Sequence, residues 1–183
     1  MHTIYLIRHS QASGQEPEAE LTPLGRQQAE ALSHGLGEAG IEFLVSSPYR
    51  RALATVSPLA ARLGLDITTD PRLVERVLCS GDRPEWRHML RRTFEEPELC
   101  YEGGESSRAA AARALAAVRD LRLRPGRTAA LVTHGNLLAL LLRSYDSTFG
   151  YEQWEKLTNP DVYRVRFQDG DADPSEVTRA WLP

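Results

Sequence analysis

Short apolar runs that alternate with helical stretches over 183 residues predict an α/β protein with a mainly parallel sheet. Three observations carry this reading. Thr3-Ile-Tyr-Leu-Ile7 and Thr128-Ala-Ala-Leu-Val132 are short, apolar and partly β-branched, as strands buried in a sheet are. Thr22-Pro23 and Pro48 open stretches with helical spacing. No repeat, low-complexity tract or linker interrupts the alternation, and the length suits one domain spanning 1–183.

In chain order, the strand at 3–7 is followed by a polar loop from His9 to about Glu20. Thr22 then reads as an N-cap with proline in the first helical position, and Gly40 as the stop. Phe43-Leu-Val45 is a second strand, closed by Ser46-Ser-Pro48. The helix after it should reach Gly64, with Pro58 bending or splitting it. A weak strand is expected over 66–69 and a short helix over 85–93. Residues 106–121 are rich in alanine and arginine and should be helical. Pro125-Gly126 turns the chain into the strand at 128–132, and a helix is expected over 136–143. Two further strands are expected over 162–167 and 177–182.

Composition narrows the function. Apolar residues make up 42% and charged residues 26%, ordinary for a soluble globular protein. A net charge of -3 weighs against nucleic acid, whose binders present a basic surface. Arginine nevertheless supplies nearly all of the 22 Lys and Arg side chains, and its planar fork matches phosphate oxygens. The first strand begins too early for a signal peptide, and no run approaches the ~20 apolar residues of a membrane span. A cytoplasmic protein without membrane contact is expected. Cys79 and Cys100 are expected to be free thiols, since two cysteines make neither a disulfide framework nor a zinc site.

Chemistry concentrates at three strand ends. The first strand ends in Arg8-His9-Ser10, the second runs into Ser46-Ser-Pro-Tyr-Arg-Arg51, and the late one ends in Thr133-His134-Gly135. Open α/β sheets bind ligands at the carboxyl ends of their strands. If these strands are parallel neighbours, two histidines and two or three arginines meet near helix N-termini, a setting suited to a phosphate. A neutral imidazole there can attack phosphorus, and fixed positive donors stabilise the charge that spreads over the equatorial oxygens. No carboxylate pair of the kind that holds magnesium is present, so neither metal nor cofactor is expected.

Four stretches together resemble the histidine phosphatase superfamily, also called phosphoglycerate-mutase-like. They are Leu6-Ile-Arg-His-Ser10, Leu21-Thr-Pro-Leu-Gly25 with Gln28-Ala29, Ser46-Ser-Pro-Tyr-Arg-Arg-Ala52, and Val132-Thr-His-Gly135. The resemblance implies a three-layer α/β/α sandwich. It implies His9 as the phosphorylated nucleophile, Arg8 and Arg51 as phosphate grips, and His134 as a donor to the phosphate oxygens. Leu73-Val-Glu75 matches the family's Leu-x-Glu pattern and makes Glu75 the expected proton donor. Two departures stand out. Ser10 replaces the usual glycine after the nucleophile, where it either crowds the site or adds a phosphate contact. The usual glycine-rich aromatic stretch after the acid reads Arg76-Val-Leu-Cys-Ser-Gly81.

A histidine at a strand end is usually structural, and His2, His34 and His88 are read as surface residues. Arg50 is expected in solvent and Arg51 in the site, and Glu105 at the start of the following helix. The arginines of 108–122 are expected to form a solvated face. The expected activity is metal-independent hydrolysis of a small phosphomonoester through a phosphohistidine. A phosphoglycerate-type mutase, a phosphoprotein or phosphohistidine phosphatase, and a non-catalytic phospholigand-binding module are the alternatives. The short stretch between 75 and 105 favours the phosphatase, because it leaves an open pocket with access for water.

Overall fold

Alternation of apolar side chains along each strand sends them to both faces of one sheet, and helices cover each face. The computed structural model describes residues 1–180. Its strands are β1 (His2–Arg8), β2 (Phe43–Ser46), β3 (Ile67–Thr69), β4 (Thr128–Thr133), β5 (Asp161–Phe167) and β6 (Glu176–Arg179). Its helices are α1 (Pro23–Leu36), α2 (Arg50–Leu63), α3 (Trp86–Glu95), α4 (Ser107–Arg122), α5 (Gly135–Tyr145) and α6 (Tyr151–Glu155). The strand order is β3-β2-β4-β1-β5-β6. The first four in that order run parallel, β5 runs antiparallel to β1, and β6 antiparallel to β5.

The two faces can be read residue by residue. Ile4 and Leu6 of β1, Val45 of β2, and Ala129 and Leu131 of β4 pack with Leu90 and Phe94 of α3, Ala114 and Val118 of α4, and Leu137 of α5. Ile7, Leu44, Ala130 and Val132 turn the other way, onto Leu32 and Leu36 of α1 and Val56 and Leu59 of α2. The result is the three-layer α/β/α sandwich. No helix among the described residues is long and apolar enough to cross a membrane.

Most expected elements lie within a residue or two of their places. Thr22 caps α1 by accepting from the Gly25 N–H, and Gly64 closes α2 in the left-handed conformation. The expected strand over 177–182 is β6, and its last two positions lie outside the described residues. Pro58 does not split α2, which continues through it. The missing N–H costs one bond, while Thr55, Val56, Leu59 and Ala60 bury the helix on both sides of it. A 3₁₀ turn at Pro71–Leu73 and the five-residue α6 are additional; both are too short to leave a periodic signal.

The sheet order positions the site. β4 lies between β1 and β2, with Arg8 beside Thr133 and Ser46 beside Val132. The residues that follow these ends, His9, Ser47 and His134, therefore emerge side by side. Gly25 fixes the loop beyond His9, because any Cβ there would collide with the Gln11 backbone carbonyl. Alanine in a helix normally gains about 1 kcal/mol over glycine. Overpacking against backbone costs roughly 1–3 kcal/mol and shifts the neighbour. Gly25→Ala should therefore lower the urea midpoint and impair turnover. A stabilised, fully active variant would contradict the close approach.

Candidate active site

His9 leaves β1 and is 6% exposed. Its Nδ1 lies 2.7 Å from the Ser10 carbonyl oxygen, an acceptor only, so Nδ1 carries the proton and Nε2 keeps its lone pair. Arg51 Nε donates to that Nε2 at 3.2 Å. Asn159 Nδ2 donates to the His9 carbonyl at 2.7 Å, tying the residue to the loop before β5.

His134 is fully buried, with its ring centroid 5.1 Å from that of His9. Its Nε2 lies 2.8 Å from the Ser47 hydroxyl, and its Nδ1 has no partner. If the hydroxyl donates to Nε2, Nδ1 carries the proton and is a free donor. Tyr49 packs edge-on against His134 at 5.0 Å, and its ring lies 5.0 Å from the Arg51 guanidinium carbon.

Burial sets the charge of both histidines. It pushes the His9 imidazole down to about 3, with Arg51 and Arg8 adding to the effect and the Ser10 carbonyl opposing it. Burial, followed by the charges of His9, Arg51, Arg113 and Arg8, pushes His134 lower still. Both are neutral near pH 7.

Arg51 is fully buried, and Arg50 is exposed, as expected, and paired with Glu20. Arg51 Nη1 donates to the Gln15 and Glu16 carbonyls at 3.0 and 2.8 Å, and Nη2 has no partner. Arg8 Nη1 donates to the Leu157 and Thr158 carbonyls at 2.9 and 3.3 Å, and Nε is unpartnered. Neither arginine forms an ion pair among the described residues. Ser10 is buried with ordinary backbone angles, so serine is accommodated without the strain that would call for glycine. Its N–H donates to Thr55 Oγ1 at 2.9 Å, and its hydroxyl has no partner.

Glu75 reaches the N-terminus of α5. Its Oε2 accepts from the Asn136 N–H at 3.0 Å, and its Oε1 accepts from Leu137 and Arg76 N–H groups at 2.9 Å each. A carboxylate at a helix N-terminus is favoured by both the free N–H groups and the helix dipole. Arg113 holds the segment from behind: it donates to the Arg72 and Val74 carbonyls and grips Glu105 at 2.8 and 2.9 Å. Arg113 is thus not part of a solvated face, although Arg108 and Arg119 of α4 are exposed. Glu105, just before the Ser106 N-cap, is occupied by this pair.

A cleft of about 1240 Å³ adjoins the site, lined by Arg8, Gln15, Tyr49, Glu75, Asn136 and Asn159, with the segment from Arg76 to Arg87 forming one wall. Asn136 is buried with both side-chain polar atoms unpartnered. Sequence reasoning passed over Tyr49, Ser47, Asn136 and Asn159. The first two lay inside a quoted motif and the third two residues past His134, whereas Asn159 had no local signal. No cluster of three or more potential metal-ligating side chains occurs among the described residues.

The whole chain has relatives. The model of the histidine phosphatase superfamily (branch 1) matches residues 4–178. The chain is 27% identical over 188 residues to the probable phosphoglycerate mutase GpmB of Enterobacter sp. (strain 638), covering 92% of this chain and 86% of that protein. It is 33% identical over 147 residues to glucosyl-3-phosphoglycerate phosphatase of Mycobacterium tuberculosis (strain ATCC 25618 / H37Rv), covering 68% of this chain and 63% of the relative. The native structure of a mycobacterial glucosyl-3-phosphoglycerate phosphatase superposes with a TM-score of 0.76 at 27% identity, covering 97% and 96% of the two chains. YhfR of Bacillus stearothermophilus shares the fold, with a TM-score of 0.81 at 24% identity. A match over nearly its full length, on a sheet that brings Arg8, His9, Arg51 and His134 together, makes this chain a member of the histidine phosphatase superfamily and a phosphoric monoester hydrolase in class.

Proposed function

We propose that the chain hydrolyses a small phosphomonoester through a phosphohistidine on His9. One observation carries this most: His9 is buried, neutral, protonated on Nδ1, and holds its Nε2 lone pair beside a guanidinium without a carboxylate partner. Phosphate oxygens supply the counter-charge that Arg8 and Arg51 lack; the Ser10 hydroxyl and, with Ser47 donating to Nε2, His134 Nδ1 are free donors for them. His9 Nε2 attacks phosphorus and the ester P–O bond breaks. The proton stays on Nδ1, and its hydrogen bond to the Ser10 carbonyl stabilises the cationic ring. Glu75 gives its proton to the departing oxygen; Oε2 accepts only one N–H, which leaves a lone pair for that proton. Water then attacks the phosphohistidine, returns a proton to Glu75, and inorganic phosphate leaves. The role of Glu75 as cap of α5 coexists with this one.

The cleft favours water as acceptor over a mutase reaction. At about 1240 Å³ it exceeds the ~300–1,000 Å³ of ordinary ligand sites, leaving room for water beside a small substrate.

Three outcomes are expected. Mass spectrometry after rapid quenching without acid should find phosphate on His9, and His9→Ala should abolish turnover; unchanged turnover would sink the mechanism. Glu75→Gln should lower alkyl phosphate hydrolysis by ~10² to 10⁴ while largely sparing nitrophenyl phosphate, whose leaving group needs no proton. Equal losses on both would leave Glu75 only its capping role.

The third outcome concerns pH. His9 titrates lower in the folded than in the unfolded chain, so between about pH 6.5 and 3 the unfolded state binds the extra proton. Stability is therefore lost as pH falls through that window, by about 1.4 kcal/mol per pH unit for one such group. Urea unfolding of His9→Gln at pH 6 and 4.5 should show a shallower loss than the unsubstituted protein. Parallel losses would mean that His9 is protonated in the folded state near its usual value.

A further inference from the structure

Asp161 is a buried carboxylate that the phosphoryl chemistry does not use. It is fully buried at the start of β5, in register with Arg8 of β1. Among the described residues its ion pair is with Arg179 of β6, whose Nε donates to Oδ1 at 2.9 Å and whose Nη2 donates to Oδ2 at 2.6 Å. The Val162 N–H donates to Oδ1 and the Thr158 N–H to Oδ2, each at 3.0 Å. A carboxylate held by a guanidinium fork and two backbone donors is fixed in both place and orientation.

The pair closes a segment that carries two anchors of the site. Residues 156–160 connect α6 to β5. The Leu157 and Thr158 carbonyls accept from Arg8 Nη1, and Asn159 Nδ2 holds the His9 carbonyl. Thr158 is bound through its N–H to Asp161, and its hydroxyl donates to the Pro160 carbonyl at 2.6 Å. Arg179 Nη2 reaches the Lys156 carbonyl at 3.4 Å. The segment is thus gripped by the pair at Lys156 and Thr158, and in turn grips Arg8 and His9. On its other side the Arg8 guanidinium lies against the start of α5, where a Cβ on Gly135 would come within 3.0 Å of Nε. A shift of its carbonyl acceptors therefore cannot be absorbed there. A buried ion pair is often no more stabilising than well-packed apolar residues, so the role left to this one is geometric.

We infer that Asp161 and Arg179 are positioning residues of the phosphate site: they set residues 156–160 so that this segment aims Arg8 and holds His9. Neither touches the substrate. The inference rests on the phosphatase reading and adds to it the residues that orient its phosphate grip.

Isothermal titration with inorganic phosphate, well below the thermal midpoint, tests it. Arg179→Gln removes the fork and should raise the phosphate Kd by at least about tenfold, as the loss of one charge-assisted hydrogen bond would. The kcat/KM for nitrophenyl phosphate should fall with it. Arg179→Lys keeps the charge but not the fork, and should lie between. Arg164→Gln is the control. It breaks the pair of Arg164 with Glu176 on the same β5–β6 edge, and Arg164 forms no hydrogen bond to residues 156–160, so the Kd should stay unchanged. A Kd that Arg179→Gln leaves unchanged, or that Arg164→Gln raises as much, overturns the inference, because the pair would then only stabilise the sheet edge. If Arg179→Gln does not fold, Arg179→Lys decides: a raised Kd supports the inference and an unchanged one overturns it. The phosphatase reading fails separately, if the unsubstituted protein binds phosphate but releases it from no ester. An unsubstituted protein that binds no phosphate overturns both.

Discussion

Guanidinium groups buried without carboxylate partners are the constraint around which this site is built. An unpaired buried charge costs several kcal/mol, and the fold meets part of that demand with backbone carbonyls. Gln15 and Glu16 accept from Arg51, Leu157 and Thr158 from Arg8, and Glu105 from Arg76. Loops far apart in sequence are thereby pinned around one cleft, and each of these arginines still has an unpartnered nitrogen. Replacing such a guanidinium removes both a charge and an anchor for a loop.

The same burial explains the state of the histidines. Beside Arg8 and Arg51, and out of water, neither imidazole can hold a second proton near neutrality. His9 is left with a lone pair on Nε2 because Nδ1 carries the proton and donates it in a hydrogen bond to the Ser10 carbonyl. His134 is left with Nδ1 free because Ser47 occupies Nε2. A single carbonyl and a single hydroxyl thus leave two similar rings with different free nitrogens, Nε2 on His9 and Nδ1 on His134. Both follow from β4 lying between β1 and β2, which sets their C-terminal residues at one height.

Much of this was legible in the sequence. Apolar runs bounded by Pro, Gly and Ser marked the strands, and Thr22-Pro23 and Gly64 marked helix ends by local chemistry that tertiary structure left alone. Arg8, His9, Arg51 and His134 were legible as neighbours because each lies at the end of a strand of a parallel sheet or in the segment that leaves it. What escaped was non-local. Pro58 is carried through α2 by packing, and Arg113 looked solvated until the segment before Glu75 came to lie against it. The capping of α5 by Glu75 joins residues 61 and 62 positions apart. The isolation of Arg76 depends on what its neighbouring acids do elsewhere in the fold.

We propose that a phosphate dianion completes the charge of Arg8 and Arg51. Thermal unfolding in rising inorganic phosphate, at constant ionic strength set with chloride, tests it most directly. A ligand that binds only the folded state stabilises it by RT ln(1 + [L]/Kd). The midpoint should therefore climb steadily with the logarithm of phosphate concentration. A midpoint identical in phosphate and in chloride would contradict the claim, because the arginines would then be reconciled with burial by the protein alone.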